Sequence, residues 1–291
     1  MIETAPFSFA HADYPLAPLT LYNVGGPARL ALTPGSVEDA CEAYNWMIAQ
    51  ESPWLVLGGG SNVLIADAGF PGVVLITNGL NGLDHLGHGR YWIESGVELG
   101  RVVRDVMVPN NYEGVGGLTG IPGSVGGAIY MNAGTVNGST CELMESAEII
   151  DRGGRRTIPM RPDLYGYRGQ TFCPPGGLIL GGVFQFQRAE EAQRPIYEHY
   201  IARRERTQPK GHCCGSVFKN PRGDHAGRLI EACGLKGARQ GGALISDMHA
   251  NFIMNEDNAS SADILALIAL CKREVKDRFG VELHEEVKII G

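Results

Sequence analysis

The sequence predicts an α+β fold in several parts, and three observations carry that reading. Short apolar runs of strand length recur through the first two thirds of the chain, each bounded by Gly, Pro or Asn. Between them, and after them, lie stretches with apolar residues at helical spacing behind a Ser cap. Near residue 190 the composition turns from glycine-rich to charged and helical. At 291 residues, with domains of roughly 100–200 residues the norm, the chain suits about two domains. We divide it into 1–77, a small α+β unit with a βαββ-like start, then 78–190, then 191–291.

In order, Asn23-Val24-Gly25-Gly26-Pro27-Ala28 is a turn leading to a strand at Arg29–Leu32. Ser36 caps a helix with Asp39 as its capping-box partner, and Val37, Cys41, Tyr44 and Ile48 form its apolar stripe. Strands follow at 54–57 and near 73–76, with a strand-like 63–65 between them. In the second part Tyr91-Trp92-Ile93 reads as a strand. Leu99, Val102, Val103 and Val106 mark a short helix ending before Pro109. Residues 147–150, 156–158 and 178–186 are strands between Gly/Pro turns. Pro195 starts a helix as its first residue, running to Arg206. A short helix at 226–233 is stopped by Gly234. Ser260 and Asp263 cap a longer one, with Ile264, Leu267, Ile268, Cys271, Val275 and Phe279 on one face and Gly280 at its end. A strand at 286–290 closes the chain.

Two glycine-rich stretches point to a phosphate ligand. In 118–134, LTGIPGSVGGAIYMNAG, four glycines at 120, 123, 126 and 127 fall within eight residues, together with Pro122 and Ser124. Glycine permits positive φ and close approach of the backbone. Pro122 has no N–H, so outward amides must come from its neighbours, and consecutive outward amides form an anion nest. The second stretch is Gly58-Gly59-Gly60-Ser61-Asn62, directly behind the 54–57 strand, an arrangement suited to cradling phosphate. It is not the dinucleotide fingerprint, because Val63 stands at the third glycine position and a strand follows where a helix should begin. A tight structural turn would explain either stretch alone. Two of them, about sixty residues apart, fit a diphosphate held from two sides.

Composition narrows the classes. Hydrophobic residues make up 44% and charged residues 20%, ordinary for a globular core. The 41 glycines gather in turns rather than in a low-complexity tract. A net charge of −7 argues against a nucleic-acid partner, which needs a basic face. The first fifteen residues lack a basic stretch followed by an apolar one, so no signal peptide is expected. No apolar run reaches the roughly 18 residues of a membrane span. Seven cysteines with no C-x-x-C pair read as reduced thiols of a cytoplasmic protein; the vicinal Cys213-Cys214 is the one notable pair. No metal site is expected.

With these segments placed, the chain resembles the UDP-N-acetylenolpyruvoylglucosamine reductase (MurB) family. The resemblance is carried by GGGSNVLIAD at 58–67, GIPGSVGGAIYMNAG at 120–134, GYR at 166–168 and QPKGHCCGSVFKNP at 208–221. It continues through AGRLIEACGLKGARQGG at 226–242, HANFIMN at 249–255 and LHEEVKIIG at 283–291. It therefore covers nearly the whole length in order. It implies a two-subdomain FAD-binding fold of the vanillyl-alcohol-oxidase/PCMH type plus a C-terminal α+β substrate domain. The implied reaction is NADPH-dependent reduction of UDP-N-acetylglucosamine enolpyruvate to UDP-N-acetylmuramate, by a cytoplasmic monomer without nucleic-acid or membrane partner.

By motif, the resemblance puts the catalytic groups on Arg168, Ser216 and Glu286. It puts FAD on Gly58, Gly59, Gly60, Ser61 and Asn62, and on Gly120, Pro122, Gly123, Ser124, Gly126, Gly127, Asn132 and Ala133. It puts the substrate on Tyr167, Arg168, Lys219, Asn220, Lys236 and His249. The chemistry asks for such groups independently. Hydride addition to one alkene carbon leaves charge on the other, spread into the carboxylate. Arg168 offers a permanently charged bidentate fork for that carboxylate. Ser216 can supply the proton if it lies in hydrogen-bond reach in a preorganised site. Glu286 must be protonated, or hydrogen-bonded through Arg168, to help rather than oppose.

Taken singly, each of these residues reads as ordinary: a surface ion-pair Arg, turn residues, a solvated Glu and a helix-end Lys. The motif context reverses that. Many flavin oxidases on the same fold attach the cofactor through a loop His. Ser61-Asn62 contains none, which favours non-covalent FAD over that alternative. A sugar-nucleotide sensor without chemistry would have no need of the Arg168, Ser216 and Glu286 set. Leu21, Gln170 and Cys213-Cys214 depart from the usual family residues. The 48 residues from Arg168 to Ser216 are too few for an inserted tyrosine loop, which matches the shorter subclass.

Overall fold

The computed structural model describes residues 5–291. They form two compact units: one takes the chain up to Ala12 with Leu30–Gly59 and Gly72–Arg203, the other Asp13–Arg29, Gly60–Pro71 and Arg204–Gly291. The first unit contains two hydrophobic cores and the second contains one.

One core of the first unit lies under a helix at Val37–Ala49 and a sheet ordered Ala10–Pro15, Pro27–Leu32, Phe70–Ile76, Trp54–Leu57. The last two strands are parallel, pairing Trp54 with Val73 and Leu57 with Ile76. Ser36 starts the helix as expected, its Oγ accepting the Asp39 amide at 3.1 Å. The buried face differs from the predicted stripe. Val37, Ala40, Ala43, Tyr44 and Met47 are buried, whereas Cys41 and Ile48 are half-buried at its edge. Small alanines let the helix approach the sheet closely, which turns the larger Cys41 and Ile48 outward.

The other core fills a five-stranded antiparallel sheet in the order Gly154–Pro159, Met144–Asp151, Leu178–Gln185, Arg90–Glu94, Leu83–Gly87. The predicted strands at 91–93, 147–150, 156–158 and 178–186 all lie here; Leu83–Gly87 was not predicted. The helix at Leu99 is real but short. From Val102 to Met107 it widens, and the Val108 amide reaches the Val103 carbonyl at 3.0 Å, five residues back. Such a widened turn inserts a residue without breaking the helix. The helix predicted to begin at Pro195 begins two residues earlier, spanning Gln193–Thr207.

In the second unit, helix Ser261–Phe279 packs on a three-stranded sheet, Arg239–Gln240, Ala243–Ile245 and Ile253–Asn255, that the sequence did not disclose, and helix Ala226–Ala232 packs against that helix. The longer helix carries the full capping box: Ser260 Oγ accepts the Asp263 amide, and Asp263 accepts the Ser260 amide, at 3.1 and 3.0 Å. It stops at Gly280 with φ 68°, a conformation without penalty only for glycine. Phe279, predicted on its apolar face, is 37% exposed. The closing strand is shorter than expected, Lys288–Ile290, and runs parallel to Val63–Ile65. Glu286 and Val287 lie in the bend before it, because their amides turn to the Val217 carbonyl instead.

Candidate active site

In the first unit the two glycine stretches meet. The Gly59 amide donates to Ser124 Oγ at 3.2 Å, and the Gly127 amide reaches the same oxygen at 3.5 Å. A Cβ on Gly58 would lie 2.7 Å from Ser124 Oγ, and one on Gly59 2.8 Å from the Ser124 nitrogen. Neither position tolerates a side chain without movement. This is the close approach the sequence implied.

The nest is smaller than the glycine pattern predicted. The Val125 and Gly126 amides bond to the Val97 and Ser95 carbonyls at 2.8 and 2.7 Å, and the Ile121 amide turns back to Leu118. Residues Val125–Tyr130 are a short helix with Ser124 as its cap. A Cβ on Gly126 would meet Ser95 Cβ at 2.6 Å, so this glycine serves packing. Gly120 and Gly123 take φ of 72° and 109° on either side of Pro122. In this run the Gly120, Gly123 and Ser124 amides are the ones left, among the described residues, without a protein acceptor. Gly123 and Ser124 lie against the Gly59 backbone, and this cradle of glycines and amides fits a diphosphate.

Asn132 and Ala133 do other work. Asn132, 6% exposed, donates from Nδ2 to the Gly166 carbonyl at 3.0 Å and accepts the Cys141 amide at 3.0 Å. Ala133 bonds through its backbone to Ala128 and Thr140. Asn132 thereby braces the small hairpin of Tyr165–Gly166 and Gly169–Gln170, with Tyr167 and Arg168 at its tip. Arg168 sits at φ 57°, an uncommon conformation for a residue with a Cβ. Its Nη1 donates to the Gly134 carbonyl at 3.0 Å, and its guanidinium lies 5.2 Å from the centre of the exposed Tyr167 ring.

The second unit assembles the remaining groups. Ser216, Asn220 and His249 line one cavity of about 300 Å³, together with His225, Arg228 and Asn251. The chain from Ser216 to Lys219 runs beside 284–287: the Glu286 amide bonds to the Val217 carbonyl at 2.7 Å, and the Lys219 amide to the His284 carbonyl at 2.9 Å. Asn62 joins this group, its Nδ2 donating to the Glu286 carbonyl at 3.0 Å and its own carbonyl accepting the Lys288 amide at 2.9 Å. Half-buried Ser61 precedes it, and Gly60, at φ 60°, leaves no room for a Cβ against the Leu19 carbonyl.

Electrostatics separates these groups. His249 accepts the Asn251 amide on Nδ1 at 3.2 Å. Burial, reinforced by nearby Lys236, pushes its pKa down, so neutral His249 presents Nε2–H. Lys236 pairs with Glu231 at 2.8 Å. Asn220 uses Oδ1 to accept the Ala226 amide at 3.1 Å, capping a helix and leaving its Nδ2 for other work. Burial raises the Glu285 carboxyl, but the Lys272 ammonium at 2.7 Å, a backbone hydrogen bond and nearby His284 together outweigh it, and the net shift is downward. Cys213 and Cys214 are buried free thiols, and burial pushes Cys214 up to about 12. Both stay protonated and unreactive near neutral pH. Sequence reasoning missed Asn251 as a site residue, although it stands two positions after His249 in HANFIMN.

The comparisons with known proteins follow this division. Residues 28–157 match the family described as FAD binding domain, and residues 208–290 match UDP-N-acetylenolpyruvoylglucosamine reductase, C-terminal domain. The chain is 39% identical to UDP-N-acetylenolpyruvoylglucosamine reductase of Chloroflexus aurantiacus, over 96% of this chain and 97% of that one. It is 41% identical to the reductase of the same name from Syntrophobacter fumaroxidans, over 95% and 82%. The crystal structure of UDP-N-acetylenolpyruvylglucosamine reductase from Thermus caldophilus superposes with a TM-score of 0.80 at 33% identity, covering 97% and 98% of the two chains. The FAD-binding domain and these relatives together make this an FAD-dependent oxidoreductase. The chain belongs to the UDP-N-acetylenolpyruvoylglucosamine reductase family.

Proposed function

We propose that this chain reduces the enolpyruvyl ether of UDP-N-acetylglucosamine enolpyruvate to UDP-N-acetylmuramate, a step of peptidoglycan precursor synthesis, as a cytoplasmic monomer. FAD, held without a covalent bond, would supply the hydride relay between NADPH and the enolpyruvyl double bond. Residues 1–77 and 78–190 serve as the FAD-binding subdomains and 191–291 as the substrate domain. Gly123 and Ser124 hold the diphosphate through backbone amides, with Gly58, Gly59, Gly60, Ser61, Asn62, Gly120, Pro122, Gly126 and Gly127 shaping the cradle.

Arg168 grips the substrate carboxylate, where its permanent charge opposes the charge that builds up during reduction. Ser216 donates the proton to the electron-rich carbon. Glu286 acts beside it in protonated or hydrogen-bonded form. Tyr167, Lys219, Asn220, Lys236 and His249 take the rest of the substrate. A phosphate arriving at Lys236 competes with Glu231 for its ammonium. The observation that carries this reading is the common cavity of Ser216, Asn220 and His249, with Glu286 bonded through its amide to the residue after Ser216. No described helix is long and apolar enough to cross a membrane. The test is NADPH oxidation by purified protein in the presence and absence of the enolpyruvyl sugar. Oxidation that does not depend on that sugar contradicts the reading.

A further inference from the structure

Ser216 needs a precise position, and the residue before it has no side chain to contribute one. Gly215 takes φ 80°, and nothing lies within 4 Å of where its Cβ would stand. Downstream of Ser216 the backbone is held tightly, at Val217 and Phe218. There one buried residue does the holding. Asn251, 3% exposed, accepts the Val217 amide on its carbonyl at 2.9 Å. Its side chain then closes on both polar groups of Phe218: Oδ1 accepts the Phe218 amide at 2.9 Å, and Nδ2 donates to the Phe218 carbonyl at 2.8 Å. The Val217 carbonyl, on the other edge, accepts the Glu286 amide at 2.7 Å and the Val287 amide at 3.3 Å. Behind Asn251, its own amide is anchored on His249 Nδ1.

We infer that Asn251 is a positioning residue for the reduction: it fixes the Val217–Phe218 backbone from which Ser216 on one side and Glu286 on the other are hung. This rests on the proposed proton donation by Ser216. The residue type follows from the geometry. Holding an amide and a carbonyl of one residue requires a donor and an acceptor side by side on one short side chain. An ionised Asp lacks the donor, and Leu of similar size lacks both. Displacement of a reacting group by about 1 Å can cost on the order of 10²-fold in rate.

The experiment compares Asn251→Leu with the parent holoenzyme, measuring thermal stability, substrate affinity without NADPH, flavin bleaching by NADPH, and recolouring by the enolpyruvyl sugar. We expect recolouring to slow by about 10²-fold, with bleaching and affinity within about twofold of the parent. Adding Asn251→Leu to Ser216→Ala should cost little more, because both changes remove the same proton delivery. Should Asn251→Leu not fold, Asn251→Asp keeps the acceptor for the Phe218 amide and should give an intermediate loss confined to recolouring. Recolouring at the parent rate in a folded variant, equal slowing of both halves, or full additivity with Ser216→Ala overturns the inference. A parent enzyme that the enolpyruvyl sugar does not recolour overturns the reaction itself, a separate result.

Discussion

The hairpin tip that carries Arg168 and the segment that carries Ser216 are built in opposite ways. Arg168 stands at a two-residue turn in the left-handed region, beside an exposed Tyr167, and is braced by the 132–134 stretch. Ser216 leads into Val217 and Phe218, both fully buried in the core of the second unit and clamped on two edges. Each depends on a buried asparagine, Asn132 or Asn251, that satisfies backbone groups of a distant loop. The difference lies in what surrounds that asparagine. A turn tip can adjust to an incoming carboxylate, whereas a clamped backbone holds a weak acid at a fixed point. Serine works as a proton donor only when preorganised, so the rigid arrangement belongs to Ser216.

The largest expected effect comes from the rigid side. Ser216→Ala should leave bleaching by NADPH near its normal rate and slow recolouring by roughly 10²–10⁴-fold, the range for losing a general acid. Equal slowing of both halves would move Ser216 into a supporting role. On the adjustable side, Arg168→Lys keeps the charge and loses the fork, and should cost about ten- to a hundredfold in the same half-reaction. A Lys variant as fast as the parent would show that charge alone suffices there. In the cradle, Gly58→Ala forces a Cβ against Ser124 Oγ. Overpacking of this kind costs about 1–3 kcal/mol, so FAD should bind roughly five- to a hundredfold more weakly, read by flavin fluorescence on dilution.

The smallest effect is a pH dependence. The folded pKa of His249 is depressed, so the unfolded chain binds the extra proton first. Its stability contribution is present above the unfolded value of about 6.5 and is lost as pH falls through the folded value. His249→Phe should flatten the decline of Tm on the acid side of pH 6.5. An unchanged slope would assign that decline to other groups.

Much of this was legible in the sequence because it is local. Ser36, the Ser260–Asp263 box and Gly280 mark helix ends by chemistry within one turn. The strand at Trp54–Leu57 was delimited by its own glycines. The glycine loops announced close backbone approach, but not which amides remain available, since the Val125 and Gly126 amides are taken by residues 97 and 95. What could not be read was long-range. The Asn251 clamp joins residues 33 apart, and Asn62 meets Glu286 across 224. The first Asn of HANFIMN has no periodicity to mark it. The role of Asn132 likewise depends on a hairpin tip that folds back on it.

The most direct test of the account is anaerobic rapid mixing of the unaltered enzyme, following flavin absorbance. NADPH should bleach it, and UDP-N-acetylglucosamine enolpyruvate added next should restore the colour while UDP-N-acetylmuramate forms in equal amount. UDP-N-acetylglucosamine, which lacks the enolpyruvyl group, should restore nothing. Colour restored by both sugars, or by neither, would contradict the assignment of Arg168, Ser216 and Glu286 to this reduction.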